Sequence, residues 1–309
     1  MITKAKFEEA YNTILRESKP ILEAYKKEAI HENTKTVVTV IAIIILGMGL
    51  GLMMNQPVFL AITVLLVLIY ITKSAFTKKP SASLQYKKEY KERVINKLLS
   101  YFNERLDYEP HGGISSSTYY SAGFNTYDRY RSEDFIRGKI EEQFPFSMSE
   151  LLIQSQHTDD KGRTTYVTEF MGLFAMVEND KDIGSIIYIR KDKKFVKISK
   201  LRGIPLVKLD SPEFEKTFDI YSNNNVVTVQ ILTSEIMQML NDMYKKMNYE
   251  ISIINNKVFM RFSLKKNLFE ASYKKEIIKK ENLYEYCQII NFVMELFLKL
   301  HQAIEESQI

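Results

Sequence analysis

The stretch GLMMNQPVFLAI, residues 51–62, interrupts an apolar run with Asn55, Gln56 and Pro57. It is either a loop inside a soluble core or the turn of a hairpin that crosses a membrane. The flanks decide between them. From Thr36 through Thr72 there is no Asp, Glu, Lys, Arg or His. A spanning helix needs roughly 20 apolar residues, within a range of about 17–25. Val37–Met54 supplies 18, and Val58–Thr72 supplies 15. The shorter run is extended by Ala75 and Phe76 once Lys73 snorkels. Tyr70 suits the membrane–water interface near that end. Uncharged buried helices rarely come as an adjacent pair, so a hairpin is the reading. Pro57 lacks a backbone donor and suits the first turn of the second helix.

With so short a turn the helices must run antiparallel, and both arms leave on one side. Lys26, Lys27 and Lys35 precede the first run, and Lys73, Lys78, Lys79, Lys87, Lys88, Lys91 and Arg93 follow the second. The turn carries no charge, so the positive-inside rule places both termini in the cytoplasm of a two-span protein of the cell membrane. Residues 73–105 hold nine Lys/Arg against three Asp/Glu, which locates the surplus behind a net charge of +5 beside the membrane. Topology and attraction to anionic lipid account for it. The remaining chain is not basic, so nucleic acid is not an expected partner. A cleaved signal peptide is disfavoured by the 35 residues, six of them Glu, that precede the apolar run. The lone Cys287 excludes an intrachain disulfide and fits a reducing compartment. Gly47 and Gly51, four apart on one helix face, are expected to line a helix–helix contact in the membrane.

Outside the hairpin the periodicities predict an α+β protein. An amphipathic helix occupies residues 1–35, with a break or kink expected at Ser18-Lys19-Pro20. The hairpin covers 36–73, as helices 37–54 and 57–73. A juxtamembrane helix comes next over 84–108, where Tyr86, Tyr90, Val94, Leu98, Phe102 and Leu106 recur every four residues. HGGISSSTYYSAG, residues 111–123, reads as the centre of a linker spanning 109–132. From 133 to 309 a mixed, mostly antiparallel β domain is expected, with one packed helix and a long C-terminal helix. Its strands fall near 135–140, 146–156, 165–177, 185–190, 206–209, 218–221 and 226–232. A hairpin joins 249–254 to 257–264 around Asn255-Asn256, and HTDDKGR, 157–163, forms another turn. A capped helix runs from 234 to 247. The last helix, 280–306, carries an apolar face too broad for solvent. That face must be covered by the domain's own core, by the helices flanking the hairpin or by another subunit; in the last case Phe297 and Leu300 are the candidate contacts for a protein partner or a second copy of the chain.

EDFIRGKI (133–140), EFMGLFA (169–175), DSPEFEKTFDIYS (210–222), LTSEIMQML (232–240) and NLFEA (267–271) together resemble the bacterial domain of unknown function 3137 family. The resemblance implies two N-terminal membrane helices before a cytoplasmic domain of no established activity. It transfers no catalytic residue. Its Gly and Phe positions, Gly138, Gly172, Phe170, Phe174, Phe214 and Phe218, imply backbone and core requirements. Val229 and Ser234 depart from the family's Arg and Pro, so an ionic role at 229 is not implied.

The chemistry-bearing residues form no motif. His31, His111, His157 and His301 are scattered, and one Cys cannot build a thiolate zinc site. There is no nucleophile elbow, dinucleotide turn or phosphate loop. Glu133/Asp134 and Asp159/Asp160 read as solvated or capping acids. No catalytic, metal or cofactor residue is assigned, and no cofactor is expected. The expected function is a membrane-anchored binding or scaffold module, with the lipid bilayer as partner. An enzyme at the membrane surface, or an accessory subunit of a membrane complex, is the alternative.

Overall fold

A computed structural model describes residues 1–54, 56, 58–76, 81–102, 105–125, 127–192, 200–264, 269 and 278–306. The chain divides into two units. One comprises residues 11–95 and 270–279, and the other comprises 1–10, 96–269 and 280–309.

The first unit is helical. Helix α1, Lys4–Met54, runs without interruption through Pro20. The expected break there is therefore corrected, as is the separation of an N-terminal helix from the apolar one. Proline removes one backbone hydrogen bond, while Ile14 and Leu22 on either side of it are both fully buried. That continuous apolar face holds the helix together across the defect. Helix α2 covers Val58–Phe76 and α3 covers Ala82–Tyr90. A π-helical segment continues the chain at Lys91–Asn96. The Ser18 hydroxyl donates to the Arg93 carbonyl, and the Ala82 amide donates to Glu32 Oε2 at 2.9 Å. These pairings run in opposite chain directions, so α1 packs antiparallel to α3 and the π-helical segment. Asn55 and Pro57 of the expected turn, the flanking Lys78 and Lys79, and most of 267–271 lie outside the described residues.

Only α1, among the described residues, is long and apolar enough to cross a membrane. It contains an 18-residue window of mean hydropathy 2.5, none of it buried. The apolar part of α2, Val58–Thr72, is shorter than the roughly 17 residues at the low end for a spanning helix.

The second unit is an α+β body. Helix α4 is only Lys97–Leu99, and Leu106–Glu109 is strand β1 rather than the end of a helix running to 108. Helix α5, Ser116–Ser121, starts at Ser115, whose side chain accepts from the Thr118 amide. The remaining strands are β2 Arg129–Ile140, β3 Phe144–Thr158, β4 Thr164–Glu178, β5 Ile186–Lys191, β6 Lys200–Leu201, β7 Ile204–Val207, β8 Phe218–Ser222, β9 Asn248–Ile254 and β10 Lys257–Ser263. Helices α6 Pro212–Glu215, α7 Asn225–Ile231, α8 Ser234–Tyr244 and α9 Lys280–Glu306 complete it. The ten strands form one sheet in the order β1-β2-β3-β4-β10-β9-β5-β8-β7-β6. Every described pairing is antiparallel.

Residues 226–232, expected as a strand, are helical. The Asn224 side chain accepts from the Val227 amide, and Val227, Thr228 and Ile231 are buried at helical spacing. The cap and that spacing outweigh the β-branched run. The 157–163 turn forms as expected, with Asp159 Oδ1 accepting from the amides of Lys161 and Arg163.

Alternation along the strands sorts side chains to two faces. Tyr249, Phe262 and Phe144 lie on one, against Phe292 and Phe297 of α9. Tyr244 of α8 adds edge contacts to Phe218 and Tyr249. Phe297 and Leu300 are thus 1% and 2% exposed. Phe297 meets Phe144 of β3, and both side chains are buried within the body rather than presented on its surface.

The opposite face is covered by residues 111–125, the segment expected as a linker. Ile114, Tyr119, Ala122 and Phe124 are buried there against Leu151, Ile153, Phe170, Phe174 and Phe259. A linker has nothing to bury; this segment supplies one side of a core.

Candidate functional site

The strands beneath residues 111–125 place polar side chains on the covered face by simple alternation: Tyr188 and Arg190 on β5, Asp219 and Tyr221 on β8, Glu250 and Ser252 on β9, Arg261 on β10. Cross-strand register then sets neighbours. Arg261 stands opposite Glu250, and Arg190 opposite Asp219. Arg261 Nε donates to Glu250 Oε2 at 2.6 Å, and a second guanidinium nitrogen joins the same carboxylate. Arg261 Nη1 donates to the Tyr119 hydroxyl at 2.7 Å.

Phe124 organises the site. Its ring lies 4.2 Å from the Arg261 guanidinium carbon and 4.7 Å from that of Arg190. Such contacts contribute about 0.5–2 kcal/mol each, more when water is excluded. Its carbonyl accepts from Arg202 Nη2 at 2.6 Å. The Ser252 hydroxyl donates to the Ala122 carbonyl at 2.6 Å and accepts from Arg190 Nη2 at 2.8 Å. Gly123 has φ +77°, and a Cβ there would meet the Tyr188 ring at 2.6 Å, so the loop passes only with glycine.

Between loop and sheet lies a cavity of about 130 Å³, lined by Gly123, Phe124, Asn125, Arg190, Lys191, Leu201, Asp219, Tyr221, Glu250 and Arg261. Burial pushes the Arg190 guanidinium down to about 10, helped by neighbouring Arg261 and opposed by Glu250. Burial acts on Arg261 too, but Glu250 and the Tyr119 hydroxyl outweigh it and hold that group above its ordinary value.

None of these residues stands out in the sequence, because they are separated by as many as about 140 positions. The readable signal is the polar member of each alternating pair in YEISI (249–253), FMRF (259–262) and IYIR (187–190). The residues that the sequence does single out lie elsewhere. A Cβ at Gly47 would overlap the Thr63 side chain, while one at Gly51 would meet Phe59 Cβ at an ordinary 3.7 Å. Cys287 is buried, and burial pushes its thiol up to about 12. Glu133 pairs with Arg131 at 3.0 Å, whereas Asp134 turns inward to accept from the Tyr108 hydroxyl. These adjacent acids do not share a cleft. Val229 is exposed on α7. Gly138 and Gly172 lie where a Cβ would strike the carbonyls of Arg105 and Phe262, and Phe170, Phe174, Phe214 and Phe218 are buried.

The fold also gathers Asp180, His301 and Glu305, with ligand-capable atoms within 4.8 Å of one another. His301 Nδ1 is 2.8 Å from the Asn179 side-chain oxygen, and its ring packs on Phe144 at 4.6 Å. That hydrogen bond and packing give the imidazole a structural role.

The segment holding β5, β8, β9, β10 and most of α9 is also what known proteins share. Residues 168–302 match the family described as "Protein of unknown function (DUF3137)". The match supports that family. The curated proteins give no match. Among solved structures, the crystal structure of the mycobacterial trehalose monomycolate transport factor A, TtfA, is similar at a TM-score of 0.37 and 10% identity. The similarity covers 63% of this chain and 88% of that one. At that score it carries no weight for fold or activity. The DUF3137 match takes in Arg190, Glu250 and Arg261 but begins after residues 111–125.

Proposed function

We propose that the chain is a membrane-anchored module that acts by binding, with α1 from about residue 37 and α2 crossing the bilayer as an antiparallel hairpin and both arms on the cytoplasmic side. The observation that carries this reading is the apolar window of α1, of mean hydropathy 2.5 and wholly unburied. Leu46, Leu52 and Met53 are 67%, 82% and 86% exposed. In water each such side chain forgoes roughly 1.5–3 kcal/mol of burial, which lipid restores. The second crossing is supported by the 19 residues of α2, which rise about 28 Å at 1.5 Å per residue; the hydrocarbon core is about 30 Å. Flanking lysines support the orientation. Close approach at Gly47, where Thr63 occupies the space of a side chain, supports a role for Gly47 and Gly51 in seating the two helices. The body's contribution is a preformed polar cavity that holds no nucleophile–base pair among the described residues, which favours recognition over turnover.

The topology is tested with single cysteines in place of Gln56 and Gln302, in a Cys287→Ser background, using an impermeant thiol reagent on intact cells. Labelling at Gln56 alone is expected. Labelling at Gln302 overturns the orientation, and protection at Gln56 overturns the second crossing.

A further inference from the structure

Arg190 is a partly buried cation held by neutral atoms. Its Nη1 donates to the carbonyls of Ile189 and Ile251, and its Nη2 donates to Ser252 Oγ. No carboxylate lies within ion-pair distance of it among the described residues. A guanidinium has five N–H donors, so Nε–H and one Nη2 hydrogen remain unused. Glu250, opposite Arg261 in register, is committed to that arginine through two nitrogens. Asp219 is itself engaged elsewhere. Among the described residues, the cavity wall carries Arg190, Lys191 and Arg261 against Asp219 and Glu250. Three cations face two carboxylates, an excess of one positive charge.

We propose that this cavity binds a small oxyanion, a phosphate or carboxylate group, with Arg190 as its principal ligand and Lys191 and Asn125 at the mouth. The planar guanidinium fork matches both groups, and a charge-assisted pair there would offset what Arg190 lost on leaving water. The frame is preorganised. Phe124 contacts both guanidinium groups, and Ser252 ties Arg190 to the covering loop through the Ala122 carbonyl. Size sets the class of ligand. About 130 Å³ equals the share of roughly four waters, well under the ~300–1,000 Å³ of sites for drug-sized molecules. One oxyanion with a small substituent fits, and a nucleotide does not. The two carboxylates on the wall favour low ligand charge.

This inference rests on the reading of the body as a binding module, but its test is separate from that of the membrane topology, so either fails alone. The full chain in phosphatidylcholine nanodiscs is titrated with inorganic phosphate and with succinate, at ionic strength held constant with sodium chloride. Saturable binding is expected, with Kd on the order of 1 mM or tighter. Hydrogen exchange should slow at residues 122–125 and 186–191. Arg190→Gln keeps an amide near Ser252 and Ile251 but removes the charge, and should weaken binding at least tenfold. Equal binding by wild type and Arg190→Gln, or a response that chloride reproduces, overturns the proposal. If Arg190→Gln does not fold, the wild-type exchange data decide: no slowing at those two segments overturns it. Phosphatidylglycerol nanodiscs identify the source. Competition with free phosphate marks a lipid headgroup, absence of competition marks a soluble ligand, and either supports the site.

Discussion

The same strands bury two faces by two different means. Toward α8 and α9 they present Phe144, Phe218, Tyr249 and Phe262, and the helices answer with Tyr244, Phe292 and Phe297. Toward residues 111–125 they present Arg190, Glu250, Ser252 and Arg261, and the loop answers with Tyr119, Phe124 and the Ala122 carbonyl. The helix face depends on filled volume. The loop face depends on direction: each guanidinium has to meet a particular oxygen or ring. Volume tolerates apolar repacking and rejects charge, whereas a directed network loses more from one misplaced donor than from a missing methyl.

The largest expected effect breaks the helix face. Phe297→Asp removes a ring worth about 3–5 kcal/mol and buries a carboxylate besides. Circular dichroism should show no cooperative transition, and a native-like melt would mean that Phe297 is not core. Phe124→Ala should cost about 3–5 kcal/mol while leaving a folded protein, because the arginines can then be hydrated. Chemical denaturation measures it, and a loss under about 1 kcal/mol would contradict the ring's place between loop and sheet.

Cys287 sharpens the comparison from the apolar side. Its folded thiol holds a proton up to about pH 12 against an ordinary 9.0. The unfolded chain therefore sheds that proton first. Stability from this group is complete below pH 9 and declines as pH climbs from 9 toward 12. Alkylation at about pH 8.5, near the ordinary thiol range, should be silent until denaturant is added, and rapid native labelling would show the apolar face of α9 to be open at Cys287. The smallest effect is Arg202→Ala. It removes one exposed donor to the Phe124 carbonyl and should cost about 1 kcal/mol or less. A larger loss would shift weight from the ring to the backbone of the loop.

How much of this is legible in the sequence obeys the same division. Helix 280–306 appears with the bounds its apolar repeat indicates, because burying a volume requires a regular pattern that the chain displays locally. The Asn255-Asn256 hairpin is legible for the same reason, a turn between two alternating runs. Residues 111–123 mislead, since Gly112, Gly113 and Ser115–Ser117 describe the local backbone and say nothing of Tyr119 reaching Phe174 or Arg261. The 226–232 segment misleads because Val226, Val227 and Val229 favour strands, while the Asn224 cap that overrides them is a single side chain. Pro20 breaks nothing, as one missing hydrogen bond counts for less than a face buried on both sides of it. The arginine cavity is invisible because register, a property of paired strands, creates it.

The far end of the β3–β4 pair has a practical consequence. From Gln156 to Glu169 both faces of this ribbon are exposed, Arg129 lies 4.1 Å from the Tyr166 ring at its flank, and its tip turns at Gly162, with φ +75° and no atom within 4 Å of a Cβ. Lys161 and Arg163 flank that glycine. The ribbon is a handle: trypsin should nick the chain there first, and a fluorescent domain spliced in at Gly162 should be carried while both halves of the body remain joined by the inner ladder of Phe146–Ile153 against Phe170–Val177.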